Sequence, residues 1–154
     1  TWSKLMSDIE SIKRGIAEDH RGSLEFYNDL DLSDYKRFYI VHNPKKGTVR
    51  AWHGHKKEAK LLKVIKGSFL VGVVEIDNWD NPNKDLLPES FEMNTESDIL
   101  FIPPGYANGA MNLSEDSSVM YFSTSNLEES VGDDFRFDSK YWDLWTEKGG
   151  VLFE

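Results

Sequence analysis

Apolar residues in this chain fall in short runs of about four to eight, cut by polar and turn residues. The segments 36–42 (KRFYIVH), 48–55, 61–66, 68–77, 90–93, 98–102 and 118–124 carry β-branched and aromatic residues between turn signals and read as strands. Lys66-Gly67-Ser68 reads as a tight hairpin turn, Pro103-Pro104-Gly105 as another, and 78–84 (NWDNPNK) as a polar loop. Only 2–16 and the tail after Asp133 have helical plausibility. No repeat, linker or low-complexity tract interrupts the pattern. Short strands with regular turns in one unit of 154 residues predict an all-β sandwich or barrel, a single domain over 1–154 with its core at about 19–125.

Composition narrows the chemistry. A chain of this length buries roughly 68–70% of its surface on folding and needs no staple. With no cysteine, a disulfide framework, a thiolate nucleophile and Cys-ligated zinc are excluded. There is no basic-plus-apolar leader in 1–16 and no run of 18 apolar residues, so a soluble cytoplasmic protein without a membrane partner is expected.

The net charge of −9 argues against general nucleic-acid binding. Its distribution says more. Residues 36–66 hold ten Lys/Arg and one acid (Glu58), a local balance of +9, which leaves −18 for the other 123 residues. One concentrated basic segment in an acidic protein suggests a defined anionic ligand more than a polymer of phosphates. The plainer reading is a solvated basic face, since Lys-rich strands also discourage edge pairing.

Within that segment, Arg50-Ala-Trp-His53-Gly-His55 lies on a predicted strand, where residues two apart share a face. The two imidazoles are expected to face one space together. Arg50, three residues from His53, is expected to point the other way unless a bulge intervenes. The spacing also fits a longer pattern, the G-x5-H-x-H-x(3,4)-E-x6-G and G-x5-P-x-G-x2-H-x3-N motifs of metal-binding cupins. Gly47, His53, His55 and Gly67 fall on the first motif, and Pro103, Gly105 and Asn112 on the second. The Glu position, however, is Lys60 and the second-motif His position is Asn108. An ammonium where a carboxylate should be opposes a divalent cation, an amide oxygen is a poor substitute for imidazole, and two His alone rarely make a tight site. No metal and no other cofactor is expected.

The chain resembles the metal-free cupins that act on nucleotide-linked keto-sugars, the dTDP-4-dehydrorhamnose 3,5-epimerases and dTDP-sugar 3,4-ketoisomerases. Asp19-His-Arg21-Gly22-Ser-Leu resembles the D-x-R-G-x-[FL] opening of both groups. Lys36-Arg37-Phe-Tyr39, followed by Arg50-Ala-Trp-His53-Gly-His55-Lys56, resembles the ketoisomerases' K-R-x-Y and R-G-x-H-A-H-K. Lys60-Leu-Leu-Lys-Val-Ile-Lys-Gly67 resembles the epimerases' K-L-V-x5-G strand and turn, and Phe101-Ile-Pro-Pro-Gly105-Tyr-Ala-Asn108-Gly109 their I-P-x-G-F-A-H-G.

The resemblance implies a cupin (double-stranded β-helix, jelly-roll) barrel with short terminal extensions and a homodimer in which strands around Arg21 reach the partner's pocket. It makes His53 the proton-abstracting base and Lys60 the cation beside the developing enolate. Tyr39 or His55 then handles the second proton. Arg21 and Arg50 are given to substrate phosphate or its neighbourhood, and Asn108 and Tyr121 to the rest of the substrate. Where the epimerases carry their acid tyrosine, this chain has Ser125-Asn126-Leu127. The expected activity is metal-independent epimerisation or ketoisomerisation of a nucleotide-diphospho-4-keto-6-deoxy sugar in surface-polysaccharide or deoxysugar synthesis. The rivals are a non-catalytic sugar-binding cupin and a metal-dependent cupin enzyme.

The chemistry holds without the family. Removing a proton alpha to a ketone needs a base such as imidazole, with an ordinary pKa near 6.5, and positive charge where the enolate oxygen forms. The bland alternatives are a hydrogen-bonded core pair for His53 and His55, a strand-end lysine for Lys60, a salt-bridged turn for Arg21, packing for Tyr39, and backbone bonding for Asn108 and Asn112. His20 and His42 read as surface or packing residues. The aromatic tail 135–145 (FRFDSKYWDLW) is expected to pack on the barrel or a partner, and Asp133, Asp134, Asp138 and Asp143 include a possible His partner.

Overall fold

The computed structural model describes residues 8–151, in which nearly all of the regular structure is strand. In chain order these are β1 (Glu10–Ile12), β2 (Gly15–Asp19), β3 (Gly22–Phe26), β4 (Arg37–Asn43), β5 (Val49–His55), β6 (Lys60–Lys66), β7 (Ser68–Glu75), β8 (Glu89–Asn94), β9 (Ile99–Ile102), β10 (Tyr106–Asn112), β11 (Ser117–Ser123) and β12 (Phe135–Arg136), with one short helix α1 (Leu127–Val131) before β12. All the paired strands run antiparallel. One sheet has the order β1-β9-β6-β11-β4 and the other β12-β5-β10-β7-β8, with β2-β3 a separate ribbon. Between β4 and β11 every step crosses from one sheet to the other except the β7–β8 hairpin. That is the all-β cupin barrel expected from the sequence.

The alternating pattern decides the layers. Leu62, Val64, Phe69, Val71, Val73, Leu100, Ile102 and Val119 point between the sheets and form the inner core. β7 is buried on both faces, which is why it reads as a nearly unbroken apolar run. Its other face, Leu70 and Val74, meets Trp52, Met111, Trp142 and Trp145. The aromatic tail therefore packs on the outside of the second sheet. Trp52 and Trp145 are wholly buried with ring centroids 5.3 Å apart. Truncating such a side chain typically costs about 3–5 kcal/mol.

Several expectations are corrected. Residues 8–16 form β1 and the start of β2 rather than a helix, because β1 continues the sheet edge at β9 (Glu10 opposite Phe101); residues 2–7 of that expected helix lie outside the described residues. From Asp134 to residue 151 the described tail is not α-helical: it forms β12, turns and a single 3-10 turn at Thr146–Lys148, its large aromatics being spaced to cover a sheet. Three strands have weak sequence signals, β2, β3 and β10. Strand β10 (YANGAMN) is poor in β-formers because it lies between β5 and β7 under the tail: a Cβ on Gly109 would come within 2.4 Å of Ala51.

Lys66-Gly67-Ser68 is tight but not a hairpin, since β6 and β7 belong to different sheets; the Pro103-Pro104-Gly105 turn likewise carries β9 into the opposite sheet at β10. Gly67 turns this corner at φ +70°, and a Cβ there would strike the Ser117 side chain. Among the described residues no helix is long and apolar enough to cross a membrane.

Candidate active site

A cavity of about 420 Å³ opens between the sheets, lined from β4, β5, β6, β10 and β11 and flanked by α1 and β12. His53, His55, Lys60, Tyr39, Arg50, Asn108 and Tyr121 all line it. Arg21 does not. It sits at the β2–β3 turn with its side chain 80% exposed, its Nη2 donating to Asp19 Oδ2 at 2.5 Å.

Arg50 corrects the parity expectation. Between Asn108/His53 and Ala110/Arg50 the register advances two residues on β10 but three on β5. The extra β5 residue is a bulge, which resets the alternation and turns Arg50 onto the face of the two histidines. Arg50 Nε donates to Asn43 Oδ1 at 2.9 Å, which leaves the rest of its guanidinium facing the cavity. Asn112 is a corner brace: its amide donates to the carbonyls of Lys45 (2.8 Å) and Ser114 (3.0 Å) and accepts from Thr48 N. The Asn108 amide donates to His53 O at 3.3 Å.

Burial acts most strongly on His53, and the nearby Arg136 and Lys60 act in the same sense. Together they push its pKa down to about 4, against an opposing pull from Asp134. The ring is neutral at pH 7. His55 is also lowered, first by burial and then by Lys60, with Glu58 and the Asp133 carbonyl opposing. His55 Nδ1 lies 2.8 Å from that carbonyl, which can only accept, so Nδ1 carries the hydrogen. Its Nε2, buried and without a hydrogen-bond partner, faces Glu58 Oε2 at 3.9 Å.

Lys60 Nζ lies 3.7 Å from the same Glu58 oxygen and above both the Tyr121 (5.4 Å) and Tyr39 (5.8 Å) rings. The two tyrosines stack at 5.2 Å, and Arg37 covers the outer one, Tyr39, at 5.0 Å. Burial raises the Tyr121 phenol, so it stays protonated. The result is a desolvated ammonium resting on aromatic faces beside two neutral imidazoles.

Ser130 and Arg136, which also line the cavity, are not singled out in the sequence reading; Asp134 enters it only as one of four possible His partners, and Glu58 only as the one acid of the basic segment. Glu58 lies in the loop between β5 and β6, where strand parity gives no signal, and the Asp133 carboxylate holds its backbone N–H at 3.0 Å. Ser130 arrives on α1, announced by the capping box Asn126-x-x-Glu129, whose two reciprocal bonds measure 2.8 and 3.0 Å. Of the tail acids, Asp133 offers its main-chain carbonyl to His55, while its carboxylate accepts from the backbone N–H groups of Lys56, Lys57 and Glu58 at 2.8–3.0 Å. Among the described residues no three His, Asp or Glu side chains converge as a metal would require, and the Lys60 ammonium sits among the donors that are present.

Over residues 5–142 the sequence matches the family described as FdtA: WxcM-like, C-terminal. No curated protein matches it in sequence. Among solved structures, a dTDP-4-dehydrorhamnose 3,5-epimerase from Sulfolobus tokodaii is 25% identical with a TM-score of 0.69, over 90% of this chain and 81% of that one. A 3,4-ketoisomerase from Helicobacter canadensis is 20% identical with a TM-score of 0.67, over 90% and 98%. A sugar 3,4-ketoisomerase from Thermoanaerobacterium thermosaccharolyticum in complex with TDP is 22% identical with a TM-score of 0.65, over 92% and 96%.

Proposed function

We propose that this chain, which belongs to the FdtA: WxcM-like, C-terminal family, is a metal-independent epimerase or ketoisomerase of a nucleotide-diphospho-4-keto-6-deoxy sugar. The observation that carries this reading is the neutral imidazole of His53 and the buried ammonium of Lys60 lining one cavity. The imidazole takes the proton alpha to the sugar ketone. The ammonium sits where the enolate oxygen develops its charge, in a site dry enough for that charge to matter. His53 or a second group then returns a proton to carbon, and Tyr39 or His55 serves the sugar oxygens.

The epimerase and ketoisomerases similar in structure carry names that fit this chemistry. The stacked Tyr39 and Tyr121 suit a sugar ring, and the arginines of the cavity suit a diphosphate. A bound diphosphate also offsets the cations that depress His53, and so brings its basicity nearer the useful range.

The direct test incubates the protein in deuterium oxide with dTDP-, UDP- and GDP-linked 4-keto-6-deoxy sugars and follows carbon-bound deuterium. Exchange with at least one of them, unchanged by EDTA, is the expected result. Tight binding without any exchange would turn the protein into a non-catalytic sugar-binding cupin. Activity lost on chelation and restored by zinc, iron or manganese would remove metal independence.

Arg50 and Arg21 serve the diphosphate in this reading. Arg50→Ala is expected to weaken nucleotide-sugar binding by about 1.5–3 kcal/mol, the scale of charge-assisted hydrogen bonds. Arg21 lies too far out on its ribbon to line its own chain's cavity, and Leu24 beside it is 64% exposed. It acts in a homodimer, reaching the partner's cavity. Arg21→Ala should weaken nucleotide-sugar binding but not free-sugar binding, and sedimentation should give a dimer at micromolar concentration. Equal affinity for free sugar and sugar nucleotide in the unaltered protein would remove the diphosphate assignment for both arginines.

A further inference from the structure

Glu58 is the one acid of the basic segment, and its side chain is almost wholly buried (1% exposed) inside the cavity wall. A buried carboxylate is costly unless it is paired and hydrogen-bonded. Ser130 and Lys60 answer that need, and His55 does so once it is protonated. Oε1 accepts from Ser130 Oγ at 2.5 Å, and Ser130 Oγ in turn accepts from Arg37 Nη2 at 2.8 Å. Oε2 faces Lys60 Nζ at 3.7 Å and His55 Nε2 at 3.9 Å. Glu58 thus joins three elements of the site, β4 through Arg37, β5 through His55 and β6 through Lys60.

The second half of the arrangement is the orientation of His55. The Asp133 carbonyl holds Nδ1–H, so proton exchange on this ring is confined to Nε2, the atom that faces Glu58. Asp133 fixes both partners, since its carboxylate also holds the Glu58 backbone N–H at 3.0 Å. Around His55, burial and Lys60 disfavour the imidazolium, with His53 adding to them from the same strand. Glu58, Asp133 and, through its coupling to the ring, Asp134 favour it. Glu58 is the carboxylate aimed at Nε2.

We propose that Glu58 is the positioning residue of the pocket, its carboxylate holding Lys60 in place and enabling His55 to accept and release a proton at Nε2. The role rests on the isomerase reading above and deepens it. In a shift of the ketone between adjacent carbons, the carbon-bound proton passes through His53. A hydroxyl proton must leave one sugar oxygen as the other gains one. An imidazolium at His55 backed by Glu58 can hold that proton between the two transfers, so atoms and charge balance without a redox partner.

The experiment combines nitrogen-15 NMR of His55 with kinetics. In the unaltered protein neutral His55 is expected as the Nδ1–H tautomer. In Glu58→Gln, His55 should take up its proton at lower pH than in the unaltered protein. kcat should fall about tenfold or more while KM stays within about twofold. Lys60→Met keeps Glu58 and removes the competing cation, so there His55 should protonate at higher pH; this arm holds even if Glu58→Gln folds poorly. An Nε2–H tautomer in the unaltered protein, or a His55 titration unmoved in both variants, would overturn the proposal. If the unaltered protein exchanges no deuterium with any keto-sugar nucleotide, the function fails and this role with it. An exchanging protein with an unmoved His55 titration removes the role alone.

Discussion

Replacing His53 with Asn should lower deuterium exchange into a keto-sugar nucleotide by about 10²–10⁴-fold, the range for loss of a general base. The fold should survive, because an amide fills the space of an imidazole and His53 lies at the cavity wall rather than in the apolar core. The pH profile adds a signature. Burial, Arg136 and Lys60 hold the pKa of His53 at about 4, so in the free protein the base is neutral at any pH above that value. The acid limb of kcat/KM, which reports the free enzyme, should therefore lie well below the 6.5 of an ordinary histidine. The acid limb of kcat should lie higher, because a bound diphosphate offsets the same cations. Exchange in His53→Asn at the rate of the unaltered protein would remove His53 as the base.

Lys60→Met should lower kcat by about 10²–10³-fold with a smaller change in substrate binding, since the ammonium matters most once the enolate has formed. The same substitution leaves Glu58 buried without its ammonium partner. Removing one member of a buried pair costs about 3–5 kcal/mol, so a lower melting temperature is expected alongside the lost turnover. The double variant Lys60→Met, Glu58→Gln separates the two effects. It removes the stranded charge and should recover much of the stability, but none of the rate. Recovery of rate with stability would mean that Lys60 serves the fold alone.

The strand runs that the sequence makes legible are those with one buried and one exposed face, such as β4, or with two buried faces and β-branched residues, such as β7. The elements it hides owe their structure to distant partners. β10 is strand because β5 and β7 hydrogen-bond it on both sides, whatever the propensity of Ala, Asn and Gly. The tail is extended over the second sheet because Trp142 and Trp145 find Trp52 there, a contact spanning about ninety residues.

The same division runs through the site. By itself the residue pattern determined an all-β sandwich or barrel, which the family resemblance narrowed to a cupin, and it placed His53 and His55 on one face of a strand, because strand parity is a local, covalent property. Motif spacing brought in Lys60 and Asn108, and the family resemblance Tyr39 and Tyr121. Only the tertiary structure decided the rest. It turned Arg50 inward through a bulge that depends on how β5 registers against β10. It left Arg21 outside its own cavity, and brought Glu58 against His55, Lys60 and Ser130. The charge state of His53 belongs with these, since desolvation and the field of Arg136, 83 positions along the chain, are set by what surrounds a residue in space rather than by its neighbours in sequence.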